Sequence, residues 1–249
     1  MKRREFVAGL ATGIVGTTVW DQLRAGPPER IPEFARLSFA QQGEDIILFH
    51  ALRDLLKVER PTYLDIGAAH PVSSNNTYLL YTTGGRGILV EPNPMYVDML
   101  RDKRPDDVVV AAGIGVTDTA EADYFEIKGN PLLNTFSPEQ VEALQKGKTE
   151  SVVERVSKMP LINVNRVIQE HLGNAPDLLC TDIEGLDLDV IRSLDLARFR
   201  PGVICCEGQS FFKTGYTSYI AQYLMPRGYV PRGASMVNSV FVDGQRIEI

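Results

Sequence analysis

Four short apolar runs in this 249-residue sequence end in carboxylates: Tyr63-Leu64-Asp65-Ile66, Gly87-Ile88-Leu89-Val90-Glu91, Leu178-Leu179-Cys180-Thr181-Asp182 and Val203-Ile204-Cys205-Cys206-Glu207. Each has the length and composition of a buried strand. A single acid in such a place is ordinarily a helix cap or a first-turn residue favoured by the helix dipole, and Asp187 fits that role. Four acidic ends together line the rim of a sheet with negative charge. In open α/β sheets that rim, where strand order reverses, is where ligands bind.

The chemistry follows from the turns. Glu91 lies 26 residues after Asp65, at the end of the second strand, where a carboxylate accepts hydrogen bonds from both hydroxyls of a ribose. The first turn, Asp65-Ile66-Gly67-Ala68-Ala69-His70-Pro71, has one glycine and lacks the G-x-G-x-x-G spacing, and Pro71 removes a backbone donor. Such a turn is poorly suited to a pyrophosphate. S-adenosylmethionine carries no phosphate and brings a sulfonium and an ammonium, which an acidic crevice attracts. Methyl transfer to an alcohol then needs in-line alignment and a base. The candidates are Asp182, Glu184, Glu207 and His70. Asp182 and Glu184 alternate at a strand end and face opposite sides, so only one meets the methyl, and Glu184 is the favoured base or orienter. His70 has the more suitable acidity, although a histidine before proline in a turn is as often structural. Asp182, Glu184, Asp187 and Asp189 could instead hold a hard divalent cation.

The elements that must carry these residues alternate. The spacing predicts a helix over 44–56, a strand over 62–67, and a helix ending at Gly84-Gly85. A strand over 87–90, a helix through Tyr96 and Leu100, and a strand over 108–112 follow. An extra strand at 122–128 and a polar stretch to residue 158, part loop and part helix, interrupt the pattern. It resumes with a helix near 165–172, the strand before Asp182, a helix near 187–196, the strand before Glu207 and a helix over 216–224. Two strands joined by a short connection, near 229–232 and 239–243, close the chain. The expectation is an α/β fold: a doubly wound, mostly parallel, Rossmann-like sheet with an antiparallel C-terminal strand.

Gln41-Gln42-Gly43-Glu44-Asp45, Tyr63-Leu64-Asp65-Ile66-Gly67-Ala68, His70-Pro71, Asn76-Thr77-Tyr78, Val90-Glu91-Pro92-Asn93-Pro94 and Asp182-Ile183-Glu184-Gly185-Leu186-Asp187 occur in one order. Together they resemble the FkbM family of S-adenosylmethionine-dependent methyltransferases over about residues 38–243. The resemblance implies a class I methyltransferase fold and O-methylation of a hydroxyl on a sugar or secondary metabolite. It implies that Asp65 and Gly67 form the cofactor turn, that Glu91 holds the ribose, that Gly113 and Ile114 lie near the adenine, and that Ala68 and Asn93 are also cofactor-binding. Gln41, Glu44 and Asp45 would fold over the methionine end, with capping of the first helix an equal alternative for the two acids. Asp182 counts among the cofactor residues as well. Two positions depart from the family pattern: Ala69 stands where Asn is usual, and Asn75 where Ser is common. Two other readings stay open, an NAD-dependent oxidoreductase on a related sheet and a non-catalytic nucleoside-binding domain.

Composition narrows the partners. Thirty-two acids against 26 bases give a net charge of −6, which argues against nucleic acid. Three cysteines, two of them adjacent in an apolar run, suit a reduced core rather than disulfides or a metal. Residues 1–30 hold five basic and three acidic residues, so the rest of the chain carries −8. Lys2-Arg3-Arg4 before the apolar stretch Phe6–Trp20 resembles a twin-arginine export signal or a tether to the membrane through residues 6–20. Residues 1–35 are therefore expected to be a targeting segment and linker, and 36–249 the catalytic domain. Dependence on a cytoplasmic cofactor favours the cytoplasm or the inner face of the membrane.

Overall fold

The computed structural model describes residues 35–116, 119–183, 185–208 and 216–247. The targeting expectation and Glu184 lie outside them. Residues Ser38–Ile249 form one compact unit. Its strands and helices are β1 (Thr62–Ile66), α2 (Tyr78–Thr82), β2 (Arg86–Val90), α3 (Pro94–Lys103) and β3 (Val108–Val110), preceded by α1 (Glu44–His50). After an insertion come α5 (Val164–His171), β7 (Leu178–Thr181), α6 (Asp187–Ser193), β8 (Val203–Glu207), α7 (Tyr216–Leu224), β9 (Tyr229–Ala234) and β10 (Asn238–Asp243).

Seven strands form one sheet in the order β3-β2-β1-β7-β8-β10-β9. The first five are parallel, and β10 pairs antiparallel with both β8 and β9. The order reverses between β1 and β7, where the two crossovers depart in opposite directions and open a crevice. Alternation along the strands divides the core. Leu64, Ile66, Leu179 and Ile204 face α5, α6 and α7, while Leu89, Cys180 and Cys205 face α1, α2 and α3. Both faces being covered explains why these strands read as continuous apolar runs.

Two expectations are corrected. The first helix is α-helical only to His50 and finishes as a π-helical turn, Ala51–Leu55. The polar stretch up to 158 hides a strand. Beyond β4 (Gly113–Gly115) and β5 (Glu121–Ile127), and after α4 (Pro138–Gln145), β6 (Val153–Asn163) runs for 11 residues between them in a separate three-stranded sheet. It pairs antiparallel with β5 and parallel with β4. Only part of one face is covered and Pro160 interrupts the pattern, so its sequence looks like loop. Among the described residues no helix is long and apolar enough to cross a membrane.

Candidate active site

The site begins where β1 stops. Gly67 has φ +81°, and a Cβ there would overlap the carbonyl oxygen of Asp182. Only glycine lets the turn after β1 pass so close to the end of β7. The Gly67 and Ala68 amides donate to the Val90 carbonyl, at 2.9 and 3.3 Å, so the turn is stitched to β2 as well. Ala69 also has positive φ, +47°. Its amide donates to Oε2 of Glu91 at 2.9 Å, and the Asn93 amide donates to Oε1 at 2.7 Å. Each carboxylate oxygen keeps accepting capacity beyond that one bond. Glu91 is 4% exposed. Burial pushes its carboxyl up to about 7, against the two backbone donors, which favour the charged form.

A cavity of about 600 Å³, counting its solvent-open mouth, lies over this turn. Gly67 and Ala69 form its floor, with Glu91 and Tyr96 on one side and Gly113 and Ile114 on another. Asp182 and Ile183, which follow β7, line it too, as do Tyr124, Asn134 and Phe136 from the insertion. Tyr124 and Phe136 lie with ring centroids 4.9 Å apart. Phe136 reaches its place because position 113 has no side chain: a Cβ on Gly113 would stand 2.5 Å from the ring. Burial, reinforced by the Glu91 charge, raises the Tyr96 and Tyr124 hydroxyls above their ordinary acidity range. Among the described lining residues the charged groups are Glu91 and Asp182, with no Lys, Arg or His.

Gly67, Glu91, Gly113, Ile114 and Asp182 are thus brought together as the sequence suggested. Several other candidates are not. Asp65 lies beneath the turn on the far face of the sheet, where its buried carboxylate accepts from Thr77 Oγ1 at 2.6 Å; burial pushes its carboxyl above the usual carboxylate range, and the Thr77 hydrogen bond and Arg104 oppose the shift. Ala68 does not line the cavity: its amide is taken by the Val90 carbonyl and its carbonyl accepts from Asn75. The Asn93 side chain caps α3 by accepting from the Met95 amide, so its link to the site is the backbone bond to Glu91. Gln41 is exposed and does not line the cavity. Glu44 is fully buried: Oε1 accepts from Ser235 Oγ at 2.5 Å and Oε2 from the Gln42 amide, pinning α1 to the β9–β10 connection. Asp45 turns to the preceding segment, accepting from Ser38 Oγ and the Phe39 amide, and neither acid stands at the N-cap of α1.

His70 also turns inward on its own loop. Its Nδ1 accepts from the Val72 and Ser73 amides at 3.2 and 2.9 Å, and the ring does not line the cavity. The cation alternative loses its geometry too. Asp187 is fully buried, its carboxyl pushed up to about 6 by burial, while Asp189 faces solvent near Arg192. Among the described residues no group of three or more such side chains is arranged to hold a metal.

Sequence reasoning missed Tyr96, Tyr124, Asn134 and Phe136. The one available signal was the extra strand breaking the alternation. Pro131, Leu132, Asn134, Thr135 and Phe136 of the insertion line the same cavity as Glu91.

Comparison with known proteins adds the following. Residues 65–231, about two thirds of the chain, match the methyltransferase FkbM domain. Comparison with curated proteins gives no match. Among solved structures the chain is similar to a methyltransferase FkbM from Methylobacillus flagellatus, at 15% identity and a TM-score of 0.43, over 74% of this chain and 44% of that one. It is similar to a precorrin-6y C5,15-methyltransferase from Geobacter metallireducens at 14% identity and TM-score 0.44, covering 84% and 93%. A TehB-like SAM-dependent methyltransferase from Corynebacterium glutamicum aligns at 10% identity and TM-score 0.42, covering 82% and 88%. From the domain match, the chain belongs to the FkbM family of S-adenosylmethionine-dependent methyltransferases.

Proposed function

We propose that this enzyme transfers a methyl group from S-adenosylmethionine to a hydroxyl of a sugar or secondary metabolite. The observation that carries the cofactor half is the charge of the lining: two carboxylates and, among the described residues, no cation to meet a pyrophosphate. The residues fit that cofactor. Glu91 offers accepting capacity on both oxygens to a ribose diol, and Ile114, Tyr124 and Phe136 offer apolar surface to a purine. Bound there, the cofactor supplies an electrophilic methyl on a cationic sulfur.

The chain supplies alignment and a proton acceptor. Gly67 and Asp182 come together at the β1–β7 switch, and β1 separates the strand that leads to Asp182 from the one that leads to Glu91 on the same cavity. A carboxylate of this turn, Asp182 or Glu184, takes the acceptor proton as oxygen bonds to carbon. Holding oxygen and methyl in line contributes up to about 7–11 kcal/mol in favourable cases. His70 drops out as a base because its Nδ1 is engaged by the loop and the ring lies off the cavity.

Calorimetry on the full chain tests the cofactor: heat with S-adenosylmethionine and S-adenosylhomocysteine and none with NAD is expected. Incubation with methyl-labelled cofactor and a metabolite extract tests the chemistry. The label should appear in a neutral product stable to alkali, as a methyl ether is. No heat with either sulfur ligand, or label only in amines or alkali-labile esters, would overturn the proposal.

A further inference from the structure

Asn75 and Arg104 lie outside the cavity, yet a chain of hydrogen bonds runs from them to its floor. Asn75 is 2% exposed and donates from Nδ2 to the carbonyls of Ala68 at 3.0 Å and His70 at 3.2 Å. These two carbonyls bracket Ala69. At φ +47° Ala69 occupies the left-handed region, where a Cβ crowds the neighbouring carbonyl. That conformation aims the Ala69 amide at Glu91 Oε2.

The other end of the Asn75 amide is fixed by chemistry. Its Oδ1 faces Arg104 Nη1 at 3.1 Å and the Thr77 amide at 3.0 Å. A guanidinium has donors only, so oxygen must face it and the NH2 must face the two carbonyls. Arg104 is itself fully buried, with Nε donating to Asp107 at 2.8 Å and Nη2 to the Tyr63 hydroxyl at 2.9 Å.

We infer that Asn75, locked in orientation by Arg104, is a positioning residue for the cofactor: it holds Ala69 left-handed so that Ala69 keeps Glu91 in place for the ribose. This rests on reading Glu91 as the ribose carboxylate. Neither Asn75 nor Arg104 lines the cavity, so their action runs through the turn.

The full-length protein and S-adenosylhomocysteine, titrated calorimetrically, separate the claims. Asn75→Asp keeps the acceptor that Arg104 and Thr77 use and removes the donors to Ala68 and His70. About tenfold weaker binding is expected, the worth of one good hydrogen bond. Glycine adopts positive φ without help. Ala69→Gly in the Asn75→Asp background should therefore restore most of the affinity, but should not rescue Glu91→Ala. A purely structural Asn75 would lower the melting temperature without this specific repair of binding. Should Asn75→Asp fail to fold, Arg104→Lys serves: it keeps the buried charge but lacks the planar fork, and the same loss and the same rescue are expected. Wild-type binding with undiminished affinity in the variant, or a loss that Ala69→Gly does not repair, overturns the inference. A wild-type protein that binds no ligand, or a Glu91→Ala variant that binds normally, overturns the reading beneath it.

Discussion

Glu91 brings a proton-binding group into the cavity. Its carboxyl is raised from 4.5 to about 7, chiefly by burial. Below 4.5 the folded and unfolded chains both hold the proton; between 4.5 and 7 only the folded chain does. Its contribution to stability is therefore present below 4.5 and is lost as pH rises through 7, by about 3 kcal/mol. In ligand-free protein the wild type should lose about 3 kcal/mol of stability relative to Glu91→Gln across that window, as read from urea denaturation at several pH values. A constant difference would place Glu91 in water. Ribose hydroxyls donate to the charged form, so affinity for S-adenosylhomocysteine should rise over the same range. A second prediction concerns Arg104. Arg104→Met leaves Asp107 buried and charged, with the Tyr63 hydroxyl and the Gly87 amide still donating to it. A loss of about 3–5 kcal/mol in unfolding free energy is expected. At this scale the strand-end acids were legible because carboxylates after apolar runs stand out. Their directions were not: alternation says that Asp65 and Ile66 face opposite ways, but only the packed helices decide which face carries the cavity. Asn75 and Arg104 were equally hidden, since the bond joining them spans 29 residues.

The decisive element is the inserted sheet. β5 and the segment after it bring Tyr124 and Phe136 into the lining that Glu91 shares, so the cavity has a wall that the parallel sheet alone would lack. Phe136→Ala should remove an aromatic face from the ligand and from Tyr124, weakening S-adenosylhomocysteine binding by about tenfold, since an aromatic pair contributes up to about 1.5 kcal/mol beyond its burial. Calorimetry reads it; unchanged affinity would mean that the ligand stays clear of this wall. The β-α-β alternation itself was readable from apolar period, and the antiparallel pair β9–β10 from the short connection between its strands. β6 escaped because half-exposed strands alternate weakly and its partners β4 and β5 lie on the far side of an intervening helix in sequence. The consequence is local: Pro131, Leu132, Asn134, Thr135 and Phe136 of the insertion line the same cavity as Glu91.

At the scale of the whole molecule, charge and topology act together. The reversal of strand order sets Glu91 and Asp182 on one cavity, from strands separated by β1 in the sheet and by about 90 residues in the chain. Sequence alone suggested the reversal only through the fold class, because strand order is a property of crossovers and not of strands. The chain carries a net −6, and both charged groups described in the cavity lining are anionic. S-adenosylmethionine has a net charge of about +1 at neutral pH, and its demethylated product about zero, because methyl transfer removes the sulfonium. Both ligands share ribose, purine and amino-acid contacts, so their difference isolates the field at the sulfur. Raising salt from about 20 to 500 mM shortens the Debye length from roughly 20 to 4 Å and screens that field. Affinity for the methylated form should then fall several-fold more than affinity for the product, with carboxylate removal at Asp182 (Asp182→Asn) flattening the contrast. Parallel salt dependences for the two ligands would show that the anionic rim does not act on the methyl donor, and the attraction argued from the strand ends would fail with them.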